Sequence, residues 1–398
     1  MTPQVEPLDS DFLQDPYAVY RRLRQRGPVH RVEIWGGVPA WLVTRYAEAR
    51  ELLADPRLAK DHLRAERLFP PGFAGGARSG WNANMLHTDP PDHTRLRRLV
   101  NKAFAARAVQ HLRPRIEQVT DELLDTLDPT GPVDLIQSFA LPLPIRIIGL
   151  LLGVPESDHE RFTEWSEPFI DSRASFRRGS AERELAEYLP RLLAAKRANP
   201  EPDLLSELAA ASADGDRLTE AELLTMTFLL ILAGYETTVN LIGNGAHALL
   251  TNPARLAELQ ARPELLPAAV EEFLRIASPV NIATTRFTTE PVRIGEVEIP
   301  AGEFVLIGLL AANHDEVQFT GPDELDFTRA VNAHLAFGHG IHYCVGAPLA
   351  RLEGEVALGR LLARFPGIAL DADAPTPGRR QSTLMHGLTA LPVRLTAA

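Results

Sequence analysis

Apolar residues recur at helical spacing through "DPYAVYRRLRQRG" and stop at Gly27, which predicts an amphipathic helix with a glycine end. "VHRVEIWGGVPAWLVT" then carries two strand-like runs joined through Gly36 and Gly37, the pattern of a short hairpin. Helical spacing returns in "RYAEARELLADP" and is lost over residues 66 to 84, "ERLFPPGFAGGARSGWNAN", where glycine, proline and aromatics crowd together. A loop of that length is either functional or disordered. From Asp89 helices dominate: "DPPDHTRLRRLVNKAF", which Asp89 caps and Pro90 begins, "PRIEQVTDELLDTL", "IRIIGLLLGV", amphipathic segments to residue 211, and a long helix from 220. Strand signals return only at 292 to 310, "VRIGEVEIPAGEFVLIGLL". No internal repeat and no composition break marks a linker. Residues 1 to 398 are therefore expected to form a single, mainly α domain with a minor β part.

The long helix opens at Thr219, with Glu222 three residues on, a capping box that fixes its start. Thirty residues from 221 to 250 extend about 45 Å at helical rise, enough to cross the whole molecule. Within this apolar run "AGYETT" places a glycine, an acid and two β-branched hydroxyl residues, which lowers helix propensity where burial is expected. Two accounts fit. Threonine hydroxyls could return bonds to the preceding turn and kink the helix, or the groove could widen beside a reactive centre with Glu236 and Thr237 positioning protons.

Composition narrows the class. With 45% hydrophobic and 23% charged residues the chain has the balance of a soluble globular protein with a substantial core. Its start, "MTPQVEPLDSDF", lacks a basic segment followed by an apolar run, and the longest charge-free apolar stretch, Leu223 to Tyr235, is too short to span a bilayer. A cytoplasmic protein is expected. The net charge of -11 argues against general affinity for nucleic acid or anionic membrane.

A single cysteine excludes an internal disulfide and a multi-cysteine zinc site. Cys344 lies in "AFGHGIHYCVGAPLAR", residues 336 to 351, among Gly338, Gly340 and Gly346. Such glycines let the backbone turn tightly and aim free amides at a thiolate, which a cysteine buried only for packing does not require. Packing alone remains the competing account, because free cysteine is among the most buried residue types.

The order Phe337, Gly340, His342, Cys344, Gly346, then "PLAR", resembles the heme-binding loop of the cytochrome P-450 family of heme-thiolate monooxygenases. "AGYETT" is similar to that family's oxygen-activating helix segment, "EEFLR" supplies its Glu-x-x-Arg as Glu272 and Arg275, and "PDELDFTR" resembles the segment whose arginine, here Arg329, completes a structural triad. Order and spacing agree over residues 88 to 351, and "NMLHTDPPDHTRLRRLV" is most similar to soluble bacterial members, particularly tailoring hydroxylases of secondary metabolism.

The resemblance implies a cytochrome P-450 fold with the long helix over heme b (iron protoporphyrin IX) and Cys344 as axial thiolate, which favours cleavage of a bound O–O bond. It implies that His93 and Arg97, four residues apart on one helix face, join Arg286 and His342 in binding heme propionates. Taken singly each would be a solvated surface charge; agreement in separate segments points the other way. Glu236 would connect the site to solvent protons and Thr237 would hold bound oxygen and waters. Neither member of that pair is replaced here.

For the substrate, Leu229, Leu232 and Ala233 stand on the Thr237 side of the long helix, Ile282 precedes Arg286, and Met385 matches the family's C-terminal pocket loop. Each also fits ordinary core packing. With the loop from 66 to 86 they suggest an apolar pocket for a hydrophobic small molecule such as a macrolide, another polyketide or a terpenoid. Residues 166 to 185 are expected to form a lid, in which Arg173, Arg177 and Arg178 could meet an acidic substrate group.

From 93 to 116 the chain has Arg95, Arg97, Arg98, Lys102, Arg107, Arg113 and Arg115 and no Asp or Glu, which fits a solvated helix face or, as the resemblance implies, the docking surface of an acidic ferredoxin supplied by a ferredoxin reductase that uses NAD(P)H. The expected reaction inserts one oxygen atom from O2 into a C–H or C=C bond, in a monomer. Other readings are a heme-thiolate ligand binder or sensor, against which the intact "AGYETT" argues, and a peroxide-driven or redox-neutral heme-thiolate enzyme.

Overall fold

The computed structural model describes residues 5–34, 37–69, 80–210 and 218–396. Strands β1 (Glu6–Pro7), β2 (Val29–Ile34) and β3 (Val38–Val43) begin a sheet in which the expected hairpin pairs from Val29 with Val43 to Ile34 with Val38. Val38, Ala40 and Leu42 are buried, the alternation a sheet with one covered face requires. The remaining strands are β4 (Leu58–Ala59), β5 (Pro132–Asp134), β6 (Arg286–Thr288), β7 (Val292–Ile294), β8 (Val297–Ile299), β9 (Phe304–Ile307), β10 (Ala369–Leu370) and β11 (Pro392–Arg394). They form a six-stranded sheet of order β1-β2-β3-β9-β6-β4, a three-stranded sheet β10-β11-β5 and the hairpin β7-β8. Strand structure therefore reaches well beyond 292–310. The additional strands are two or three residues long, too short for a period of two to show.

The principal helices are α1 (Pro16–Arg26), α2 (Tyr46–Ala54), α3 (Asp92–Asn101), α4 (Arg113–Asp125), α5 (Pro142–Leu152), α6 (His159–Ile170), α7 (Arg178–Ala198), α8 (Glu220–Leu250), α9 (Leu266–Ile276) and α10 (Ala347–Arg364). Helix α1 ends at Gly27 as its pattern predicts. Helix α3 begins differently. Its first residue is Asp92 and its cap, Pro91, offers no side-chain bond, while the Asp89 carboxylate accepts from the amides of Lys60 and Asp61 at 3.0–3.1 Å. Asp89 thus ties the segment after β4 to the start of α3 instead of capping the helix.

The capping box is present: Thr219 N–H donates to Glu222 at 2.8 Å, and Glu222 N–H donates back to Thr219 Oγ1 at 3.2 Å. Helix α8 then runs for 31 residues, about 46 Å. By length and composition it could cross a membrane, yet 78% of its most apolar window is buried inside the protein against α5, α9 and α10, the position of a core helix. It stays α-helical throughout. A Cβ on Gly234 would stand 2.6 Å from Ile148 Cγ1, so the glycine of "AGYETT" lets α5 approach. Thr237 Oγ1 returns a 3.1 Å bond to the Ala233 carbonyl, as in the first of the two accounts.

An ion network around a fully buried pair fixes α9. Arg275 donates to Glu272 at 2.7 and 2.8 Å and to the carbonyls of Asn313, Pro322 and Glu324, while Arg329 and Asn332 approach Glu272 at 3.3 and 3.0 Å. The bidentate pair binds helix α9 to the chain that leads into the cysteine loop.

Candidate active site

Cys344 sits one turn before α10, and its N–H donates to the Phe337 carbonyl at 2.9 Å, which closes the glycine loop. Gly338 and Gly340 have φ of 73° and 75°, and a Cβ on Gly340 would stand 2.9 Å from the Leu53 carbonyl oxygen and Ala54 Cα. Only glycine lets this loop lie against the end of α2. The thiol retains accessible surface while lying deep among protein atoms. Burial pushes it up, while the amides of Gly346 and Ala347 and the guanidinium groups of Arg97 and Arg351 oppose that rise.

Around the loop gathers a group of basic side chains. Lys60, His93 and Arg286 are buried, and Arg97 and His342 half-buried. The His93 and His342 rings stand 4.3 Å apart, and each keeps a buried Nε2 without a hydrogen-bond partner. Burial lowers all four, and neighbouring positive charge adds to it at Lys60, His93 and His342: Lys60 is pulled well below its ordinary value, burial brings Arg286 down to about 10, and His93 and His342 also fall. The acid facing Lys60 and Arg286, Asp89, already accepts the amides of Lys60 and Asp61. Buried cations and orphaned donors in this ratio fit an anionic group such as paired carboxylates. A heme with two propionates, placed over an accessible thiol, meets that description. Sequence reasoning missed Lys60, whose Nζ donates to Thr284 Oγ1 at 2.6 Å; one lysine in "RLAKDHL" carries no periodic signal. Arg97 donates to the Tyr343 carbonyl at 2.6 Å and to Asn101 at 2.7 Å, joining α3 to the cysteine loop.

On α8, Ala233 is exposed and Leu232 and Thr237 are partly so, in the middle of an otherwise buried helix. This face is left partly uncovered by other side chains. Glu236, one position from Thr237, turns into the protein: burial raises its carboxyl, and Arg380 Nε lies 3.0 Å from Oε1. Arg380 also went unnoticed in the sequence. Glu353 of α10 is buried toward Thr238, and burial holds its carboxyl well above the carboxylate range.

The expected pocket residues separate. Leu229 lies within the helical core, with Leu232 packed against it at the edge. Near them Phe228 meets Trp81 at a tilt and Phe169 edge to face, each at 5.0 Å between centroids. Met385 is buried and bridges to Val280, but Ile282 packs into the sheet core with Tyr20, Leu42 and Phe304. Residues 70–79 of the expected pocket loop lie outside the described residues. Arg173, Arg177 and Arg178 pair with Asp171, Glu167 and Glu182, so acids of the lid itself already occupy the lid arginines.

Of the basic run, Arg95 pairs with Glu222, and Arg113 with Glu117 and Glu355. Arg98, Lys102, Arg107 and Arg115 are exposed.

The cytochrome P-450 family profile matches residues 133–392. The chain is 49% identical to cytochrome P-450 107B1 of Saccharopolyspora erythraea over 98% of each protein. It is 45% identical to the 6-deoxyerythronolide B hydroxylase of the same organism over 98% of this chain and 99% of the relative. The structure of the monooxygenase TamI with tirandamycin C bound superposes with a TM-score of 0.93 at 49% identity, covering 98% of this chain and 100% of that one. With the thiol loop, the cation cluster and the α8 segment already in place, these matches establish that the chain belongs to the cytochrome P-450 family and is a heme-dependent monooxygenase.

Proposed function

We propose that Cys344 is the thiolate ligand of heme b, and that His93, Arg286, His342 and Lys60, with Arg97 beside the thiolate, hold the cofactor's carboxylates. The observation that carries this is the sole cysteine, accessible yet deep, in a loop ringed by buried basic groups whose facing acid, Asp89, is already engaged by backbone amides. Bound heme supplies the iron at which O2 is activated for insertion of one oxygen atom into a substrate C–H or C=C bond. The protein does the rest. The amides of Gly346 and Ala347 favour the anionic sulfur. Thr237, on the accessible face of α8, offers a hydroxyl to oxygen or water once its bond to Ala233 turns, and Glu236 passes protons inward from water. The apolar stretch from Trp81 and Phe228 past Leu232 to Ala233, with Leu229 and Met385 behind it, excludes water and orients a hydrophobic molecule.

The substrate proposed is a secondary metabolite of polyketide or macrolide type, in keeping with the 6-deoxyerythronolide B hydroxylase and tirandamycin-bound relatives. Electrons come from a ferredoxin and its reductase at Arg98, Lys102, Arg107 and Arg115. That surface adjoins the cysteine loop, where Ile341 and Tyr343 are also exposed. We place the enzyme in the cytoplasm as a monomer. The test is product formation from a panel of polyketides with ferredoxin, reductase and NADPH. Product that depends on both O2 and reductant supports the proposal; product formed without either contradicts it. Arg98→Glu with Lys102→Glu should flatten the salt dependence of reduction by ferredoxin, and an unchanged dependence would remove this docking surface.

A further inference from the structure

The charge on Glu236 is set by three separate elements. Arg380, in the segment between β10 and β11, reaches Oε1 at 3.0 Å, but off the hydrogen-bonding axis, so Nε and Oε1 both lack a hydrogen-bond partner. Its backbone is held, with the N–H donating to Gly387 at 3.0 Å and the carbonyl accepting from Ser382 at 3.1 Å. The adjacent Gln381 carbonyl accepts from both Ser172 N–H at 3.0 Å and Ser172 Oγ at 2.8 Å, which docks the segment after α6 onto this strand of chain. Asp171, next to Ser172, is buried, pairs with Arg173 and also lies in the field of Arg380. Glu167 of α6 pairs with Arg177 and faces Glu236 as a like charge, and the Tyr235 phenol adjoins from α8.

We infer that Arg380 is a positioning residue for the Glu236 carboxyl, shared with Asp171, so that docking of the lid through Ser172 and Gln381 sets how firmly that carboxyl is held. This rests on the proposal that Glu236 passes protons. A relay carboxyl must give one proton inward and take another from water, so it must visit both forms. Burial, Glu167 and Asp171 favour the neutral acid; Arg380 favours the carboxylate. A guanidinium close by but not hydrogen-bonded offsets the desolvation without locking the anion. Asp171 competes for the same cation, and so the lid that covers the substrate space also adjusts the relay.

The experiment compares Arg380→Gln, Arg380→Lys and Asp171→Asn in the heme-loaded full chain. The first readout is infrared titration of the protonated carboxyl band that Glu236→Gln removes. The second is the pH profile of the solvent deuterium isotope effect on NADPH oxidation, with a surrogate ferredoxin and no substrate added. Arg380→Gln should raise the carboxyl midpoint by about one unit. Asp171→Asn should lower it, and Arg380→Lys should stay near the parent. Unmoved midpoints in both charge-removing variants, with melting temperature alone altered, would reduce Arg380 to a structural residue. If Glu236→Gln leaves the isotope effect intact, the relay role itself fails. The infrared shifts, which need no turnover, would still report the grip of Arg380.

Discussion

The imidazoles of His93 and His342 meet with centroids 4.3 Å apart and rings inclined at 55°, each leaving a buried Nε2 unpartnered. Two unpartnered imidazoles brought together from α3 and the cysteine loop are what the proposed site for a cofactor carboxylate requires. Replacing both by Phe keeps the ring volume and removes the donors. Loss of heme to an excess of apomyoglobin should then quicken by about tenfold or more, because a hydrogen bond to a charged group contributes roughly 1.5–3 kcal/mol. An unchanged transfer rate would take the pair out of cofactor binding.

Thr237 places its hydroxyl on the accessible side of α8. Thr237→Ala should continue to consume NADPH but divert it to hydrogen peroxide, with product per NADPH falling several-fold. Tight coupling in that variant, measured by peroxide and product together, would refute the role given to the hydroxyl.

Glu272 and Arg275 are both 0% exposed, and the carboxylate also receives Arg329 and Asn332. Glu272→Ala leaves buried guanidinium charge without its partner and should cost about 3–5 kcal/mol, enough to abolish stable heme-loaded protein. Urea unfolding of Glu272→Ala beside a surface control such as Glu296→Ala checks this. Equal midpoints would mean that the network does not hold α9.

Glu271 tests the linkage of pH and stability. Arg351 and His334 hydrogen-bond its carboxylate and hold it down to about 2 against burial. A carboxyl depressed on folding contributes stability that is present above its unfolded value near 4.5 and is lost as pH falls toward about 2. Glu271→Gln should therefore unfold more easily than the parent by about 2 kcal/mol at pH 7. The gap should narrow below pH 4.5. A gap independent of pH would assign the loss to packing.

Much of this was legible in the chain because some residues are constrained where they stand. The cysteine loop showed through its glycines, and the structure gives the reason at Gly340, where a side chain would strike the end of α2. The capping box at Thr219 is local chemistry and was read correctly. Lys60 and Arg380 were invisible because their roles come from partners far away in sequence, Thr284 and Glu236. Ile282, singled out for its nearness to Arg286, is buried in the sheet core, where it bridges to Gly308. Asp89 had the right residue type for a helix cap, yet the amides of Lys60 and Asp61 claimed it first.

The central claim, that Cys344 is the thiolate on heme iron, is tested most directly by the absorption spectrum of the dithionite-reduced, carbon monoxide-bound protein beside that of Cys344→Ser. Thiolate ligation predicts a strongly red-shifted Soret band in the parent that Cys344→Ser lacks. A Soret band typical of a neutral axial ligand in fresh parent protein, or a red-shifted band that survives the substitution, would contradict the assignment and the oxygen-activating role built on it.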